Sequence, residues 1–148
     1  MNNANSIPYG SYDRMDKEKT LLIIKPDAVR RHLIGEILRF VEKEGFVILG
    51  LKMLRISKER AYKLYEVHKG KHFYEDLVNF ISGGPIVVAL LEAENAVARL
   101  RNVIGETNPQ KAAPETIRGK FGNSLRENAV HAPDSKESAT QEIALFFG

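Results

Sequence analysis

Short apolar, β-branched runs alternate along this chain with segments of helical period, and that alternation constrains its fold most tightly. Thr20-Leu21-Leu22-Ile23-Ile24 has the pattern of a buried strand. Lys25-Pro26-Asp27 closes it, because proline cannot continue a central strand. Ile34, Ile37, Leu38 and Val41 recur at i, i+3, i+4 and i+7, which predicts an amphipathic helix stopped by Gly45. Residues 46–56 are strand-like, and Ser57 is a good N-cap for a helix over 59–68. A short helix over 74–80, a buried strand over 86–91 and a helix over 95–103 ended by Gly105 follow. Ala129-Val130 reads as a very short strand before His131. Ser135, with Ser138 three residues on, opens a last helix carrying Ile143, Ala144 and Phe147.

This order suits an α/β fold of the ferredoxin-like, split βαβ kind: a four-stranded antiparallel sheet covered by helices, with a long loop insertion. That loop, residues 106–127, has little periodicity. Loops beyond about 12–15 residues in a compact domain are usually functional or disordered, so it is a candidate functional segment. The 148 residues fit one domain. Such a domain buries about 68–70% of the surface of its unfolded chain and needs no staple. Residues 1–17, rich in Asn, Ser, Pro and Gly, read as a flexible arm ahead of a domain over 18–148.

Composition removes several functions. There is no cysteine, which excludes disulfides, thiolate catalysis and Cys-ligated zinc. With 43% apolar and 28% charged residues, disordered and fibrous classes are excluded as well. The first twelve residues hold no Lys or Arg and no secretory apolar run follows. No stretch approaches the roughly 20 apolar residues of a membrane helix. A cytoplasmic chain without a membrane partner is therefore expected. The 22 Lys and Arg against 19 Asp and Glu leave a net +3, which fits a phosphate ligand and, less specifically, nucleic acid.

Motif tests narrow the chemistry. Gly119-Lys120 suggests a P-loop, but Pro114 and Phe121 stand where that motif needs Gly and Ser or Thr. His68 and His72 are spaced i, i+4, yet without a nearby third ligand they read as polar surface or pocket residues. His131 has a different setting. It follows a short apolar pair, precedes the turn Ala132-Pro133-Asp134-Ser135, and Glu142 lies two turns into the helix beyond. A carboxylate on one imidazole nitrogen fixes the tautomer and leaves the other as a directed nucleophile. A nucleophilic histidine suits phosphoryl transfer, with Lys25, Arg101 and Arg118 as candidate cations.

The segment Asn128-Ala129-Val130-His131-Ala132-Pro133-Asp134-Ser135 resembles the active-site signature of nucleoside diphosphate kinases. The resemblance runs from about Lys19 to Phe147. It includes Ile24-Lys25-Pro26-Asp27-Ala28-Val29, Tyr65 to His68, Phe73 to Leu77, Gly84-Pro85, Gly105-Glu106-Thr107-Asn108-Pro109, Thr116-Ile117-Arg118-Gly119 and Phe121-Gly122, in order and with the family's spacing.

That resemblance implies transfer of the γ-phosphate of a nucleoside triphosphate to a nucleoside diphosphate, by ping-pong through a phosphohistidine, with Mg²⁺ brought on the nucleotide. His131 matches the phosphorylated nucleophile and Glu142 the carboxylate that orients it. Lys25 matches the lysine contacting the ribose and the transferring phosphate, and Tyr65 the tyrosine beside the histidine. His68, Arg101, Thr107 and Arg118 match phosphate-holding residues, and Asn128 the ribose contact. Phe73 and Leu125 match the two faces of the base site. Asp134 matches a residue near the magnesium, reaching it through water. Family members are hexamers or tetramers built from dimers, so a homo-oligomer is expected, with nucleotides rather than nucleic acid as the main ligand. The chain departs from the family's usual pattern at Pro133 (usually Ser), His72 (usually Pro), Glu115 (usually Gly) and Lys120 (usually Asp). The change at Pro133 implies slower turnover. Those at Glu115 and Lys120 bear on subunit contacts, and the end at Phe147-Gly148 resembles the short bacterial form.

Overall fold

The computed structural model describes residues 17–148. Its elements run β1 (Lys17–Ile24), α1 (Pro26–Arg30), α2 (Ile34–Lys43), β2 (Val47–Leu54), α3 (Lys58–Leu64), a 3₁₀ turn (Glu66–His68) and α4 (Tyr74–Ile81). There follow β3 (Ile86–Glu94), α5 (Ala96–Ile104), α6 (Ile117–Phe121), β4 (Val130–His131) and α7 (Lys136–Phe147). The strands form one sheet in the order β2-β3-β1-β4, with each neighbouring pair antiparallel. The four-stranded antiparallel sheet expected from the sequence is the observed one. The arm expected over 1–17 lies outside the described residues except for Lys17, which opens β1 opposite Glu94.

The two central strands read as continuous apolar runs because both faces of the sheet are covered. Alternate side chains go to opposite faces. On one face Leu22, Ile24, Val87, Ala89 and Leu91 pack with Ile37 and Val41 of α2, Leu100 and Ile104 of α5, and Ile117 of α6. On the other, Leu21, Ile23, Ile86 and Val88 pack with Ala61 and Leu64 of α3, Val78 and Ile81 of α4, and Phe146 of α7. Both predicted serine caps form: the Ser57 hydroxyl accepts from the Arg60 N–H, and that of Ser135 from the Ser138 N–H. Among the described residues, no helix is long and apolar enough to cross a membrane.

Several local expectations need correction. Pro26 does more than end β1; it opens α1 at a position where its missing N–H has no partner to lose. The helix expected over 59–68 stops at Leu64, and Tyr65 links it to the 3₁₀ turn. His68 and His72 therefore do not share a helix. The long loop contains α6, capped by the Thr116 hydroxyl, which accepts from the Gly119 N–H. Finally, His131 does not follow β4 but sits in it, opposite Ile23 of β1.

Gly119 is the tightest point of the long segment. A Cβ there would overlap the Ala113 carbonyl oxygen and come within 3.0 Å of Thr116 Oγ1. Gly119→Ala is expected to destabilise the protein by about 1–3 kcal/mol through overpacking, read as a lower Tm in thermal unfolding. An unchanged Tm would contradict that packing.

Candidate active site

Lys25 stands where β1 ends and α1 begins, and its side chain is buried. A buried ammonium needs acceptors, since unpaired charge in a low-dielectric interior is costly. Its Nζ donates to Asn128 Oδ1 and to the Arg126 carbonyl, both at 2.8 Å, and lies 5.4 Å from the centre of the Phe80 ring. Burial pushes the ammonium down from its usual range to about 8; the Asp27 carboxylate works against that shift, and Arg118 adds to it. Asn128 passes the connection on: its Nδ2 donates to the Thr107 carbonyl at 3.0 Å.

His131 is held by β4, one strand from the sheet centre, while Glu142 comes from α7. The two meet at 2.8 Å between Nε2 and Oε1. A carboxylate accepts, so Nε2 carries the proton and Nδ1 keeps its lone pair in neutral imidazole. The Tyr65 ring meets that of His131 edge-on, 5.7 Å between centroids and 86° between planes. Tyr65 is buried, and burial together with the Glu142 carboxylate raises its phenol well above the usual range.

Two arginines approach from the other side. Arg118 on α6 is buried; its Nη1 donates to the Gly105 carbonyl at 3.0 Å and its Nη2 to the Val130 carbonyl at 2.9 Å. Its Nε has no protein partner. Burial, with Arg101 nearby, lowers its guanidinium to about 10. Arg101 on α5 donates from Nη1 to the Ala132 carbonyl at 3.0 Å. His68 is pushed below its usual range by partial burial, then by Lys71 and His131, with Asp134 opposing.

All twelve residues singled out from the sequence line one cleft of about 720 Å³, within the usual range for ligand sites. Phe73 and Leu125 supply apolar surface at its mouth, Leu125 61% exposed. The rings of His68 and His72 meet Phe73 edge-on at 5.2 and 5.3 Å. The cleft also holds Val67, Lys71, Arg126 and Ser138, which sequence reasoning did not select. For Arg126 no signal was available, because the group that fixes Lys25 is a backbone carbonyl. The arrangement is a nucleophilic ring nitrogen at the wall of a cationic cavity with an apolar mouth, able to hold a polyanion by one end and a flat ring by the other.

Such a cleft is suited to holding a phosphate chain, and comparison with known proteins specifies the class of protein that carries it. The family model "Nucleoside diphosphate kinase" matches residues 18–148. A nucleoside diphosphate kinase of Methanocaldococcus jannaschii is 51% identical over 131 residues, covering 88% of this chain and 94% of its own. Among solved structures, the nucleoside diphosphate kinase of Aquifex aeolicus superposes with a TM-score of 0.85 at 46% identity, covering 89% of this chain and 96% of that one. That of Halobacterium salinarum, in complex with CDP, gives 0.86 at 41% identity, covering 88% of each chain. The chain belongs to the nucleoside diphosphate kinase family. It is a transferase that moves phosphate between nucleotides.

The geometry has two measurable consequences. Lys25 is cationic below about pH 8 and neutral above it, so kcat/KM for a nucleotide is expected to fall as pH rises through about 8. Bound phosphate favours the charged form, so the corresponding limb in kcat lies at higher pH. Coincident limbs in the two profiles would contradict this. In Glu142→Gln an amide replaces the acceptor on Nε2 and no longer enforces the Nδ1 lone pair. A loss of at least about 10²-fold in kcat, measured by a coupled assay, is expected by analogy with other oriented histidines.

Proposed function

We propose that the chain moves the γ-phosphate of a nucleoside triphosphate onto a nucleoside diphosphate by ping-pong through a phosphohistidine at His131. The observation that carries this reading is the hydrogen bond from His131 Nε2 to Glu142, made beside the cations of the cleft. In the first half-reaction the Nδ1 lone pair attacks the γ-phosphorus. An N–P bond forms, the P–O bond to the β-phosphate breaks, and the diphosphate leaves with that electron pair. In the second, a β-phosphate oxygen of another diphosphate attacks; the N–P bond breaks and its electrons return to Nδ1. The transferred group is mostly stabilised by position and charge. His68, Arg101, Thr107 and Arg118 hold the phosphates, and Lys25 bridges the ribose and the transferring group. Asn128 takes the ribose, while Phe73 and Leu125 bracket the base and Tyr65 backs the histidine.

Mg²⁺ belongs to the same proposal. Among the described residues no three carboxylate, His or Cys groups converge as a metal cage. Asp134 is an exposed oxygen donor at the cleft, which fits an ion that arrives on nucleotide phosphates and keeps its waters. When bound, the ion would neutralise phosphate charge, and Asp134 is the residue that would help to hold it, by way of water. The CDP bound by the Halobacterium salinarum relative supports nucleotides as ligands here. A homo-oligomer built from dimers, hexamer or tetramer, is supported by edge strand β2, which exposes Leu49, Leu51 and Met53. A cytoplasmic location is part of the same proposal.

Incubation with γ-labelled ATP is expected to give an acid-labile, alkali-stable label on the protein, and His131→Ala is expected to abolish it. Label that persists in His131→Ala would sink the assignment. A second outcome concerns Pro133, buried and lining the cleft beside His131. Pro133→Ser restores the hydroxyl that the family resemblance places near the Glu142 carboxylate. Hydrogen bonds to charged groups contribute about 1.5–3 kcal/mol, so kcat is expected to rise by about 10-fold. An unchanged kcat would show that Glu142 is already fully oriented.

A further inference from the structure

Asp27 is almost fully buried, 1% exposed, yet nothing in the proposed chemistry uses it. Its Oδ2 accepts the N–H of Ala129 at 3.0 Å across 102 residues of sequence, while its Oδ1 has no protein partner. A buried carboxylate left half satisfied is rare enough to need a reason. Ala129 supplies one. It lies in the left-handed region at φ 77°, where a side chain is unfavourable. Its neighbours close around it: the Val130 N–H donates to the Asn128 carbonyl at 2.9 Å, two residues back. A positive φ under an i to i+2 hydrogen bond is the rare, strained form of the γ-turn. Strain of this kind persists only where the surroundings over-determine it. Here both sides of Ala129 are pinned to one short segment. The Lys25 N–H donates to its carbonyl at 2.9 Å, and Asp27 accepts from its N–H.

We infer that Asp27 is a positioning residue for phosphoryl transfer: its carboxylate holds the left-handed turn at Ala129, which sets Asn128 and His131 on either side of it, and places a negative charge near the Lys25 ammonium. The inference rests on His131 being the nucleophile. The turn separates the two residues by three positions, and both line the cleft. Relaxing Ala129 to a negative φ would move the start of β4, whose pairing with β1 spans only Val130 and His131. The charges of Asp27 and Lys25 are also coupled to one another. Burial raises the Asp27 carboxyl above its usual range, with Lys25 and the Ala129 N–H pulling it back toward the charged form. Lys25 in turn faces Asp27 and Glu127, which favour its charge, and Arg118 and Arg126, which oppose it. Asp27 is the strongest of these neighbours.

The test is the rate at which γ-labelled ATP labels His131 in a single turnover, run beside thermal unfolding and the pH profile of kcat/KM. Asp27→Ala is expected to slow labelling by about 10²-fold at saturating ATP, the usual cost of misplacing a reacting group by about 1 Å. Ala129→Gly in that background is expected to recover part of the loss, because glycine adopts positive φ freely. Asp27→Asn keeps an oxygen for the Ala129 N–H, so it is expected to label at near the wild-type rate. Without the charge, its basic limb in kcat/KM is expected to move to lower pH. A folded Asp27→Ala that labels at the wild-type rate would overturn the inference. So would an Asp27→Asn limb that stays in place, and that second variant decides the matter if Asp27→Ala does not fold. A wild-type protein that takes no label would instead sink the phosphohistidine reading, and this inference with it.

Discussion

A lysine ammonium has no reason to lie inside a protein unless acceptors meet it there, and this requirement at Lys25 organises much of the molecule. The acceptors come from the far end of the chain, the Arg126 carbonyl and the Asn128 amide oxygen. Satisfying them brings residues 126–129 against the end of β1. Once there, the chain has only one residue, Ala129, in which to turn before β4 begins. The two-residue strand is too short to fix its own register by side-chain alternation. It takes that register from the Lys25 N–H to Ala129 carbonyl bond and from the Asp27 carboxylate. The position of His131 is therefore a consequence of where Lys25 is buried.

The same economy governs the arginines. Arg118 gives two of its N–H groups to the Gly105 and Val130 carbonyls. That anchors the guanidinium and ties α6, within the long loop, to β4, the strand that carries His131. Charge fixed in this way needs no reorganisation when a phosphate arrives, which is the main source of electrostatic catalysis. Burial lowers both Lys25 and Arg118 from their usual ranges. An anion between them restores what desolvation removed, so the cleft gains electrostatic stability from its substrate rather than from its own side chains.

Most of the sheet and the larger helices were legible because each buries a face and so carries a period, as at Ile34, Ile37, Leu38 and Val41. Two helices of five residues, α1 and α6, carry no measurable period, and both escaped. The end of the helix at Leu64 was equally hidden: Tyr65 and Val67 continue an apolar pattern that the backbone abandons. In the site, His131 with Glu142 was readable from a short strand, a turn and a helix within 11 residues. The remaining groups were not, because Lys25 and Asn128 meet across 103 residues and no local pattern records such a contact. Lys25, Arg101 and Arg118 stood out only as candidate cations, and the other roles came through the resemblance of several motifs in order. Asp27 stands within one of those motifs, yet no local pattern marks its role, since its partner is a backbone N–H that every residue but proline possesses.

The division of labour in the cleft decides what kind of specificity is open to it. Cations and hydrogen-bond donors gather at the His131 end, whereas the mouth offers Phe73 and the exposed Leu125. Aromatic stacking reads the π-face that every base has, and so tolerates all of them. Hydrogen bonds to base edges would discriminate, but such recognition needs fixed polar groups at the mouth. The candidates there, Lys71 and His72, are exposed side chains, and both engage Phe73: Lys71 Nζ lies 5.7 Å from its ring centre and His72 meets it edge-on. These contacts support the platform rather than present a rigid edge reader. Arg126 of the cleft pairs with Asp76 of α4 at 3.0 Å, with both partners about half exposed. An exposed pair of that kind contributes little energy and yields easily. The inner end offers the buried cations Lys25 and Arg118, whereas the mouth offers exposed, adjustable side chains. On the proposed nucleotide reading, a cleft built this way would select for the phosphate chain more strongly than for the base, because fixed charge discriminates and an adjustable apolar surface does not.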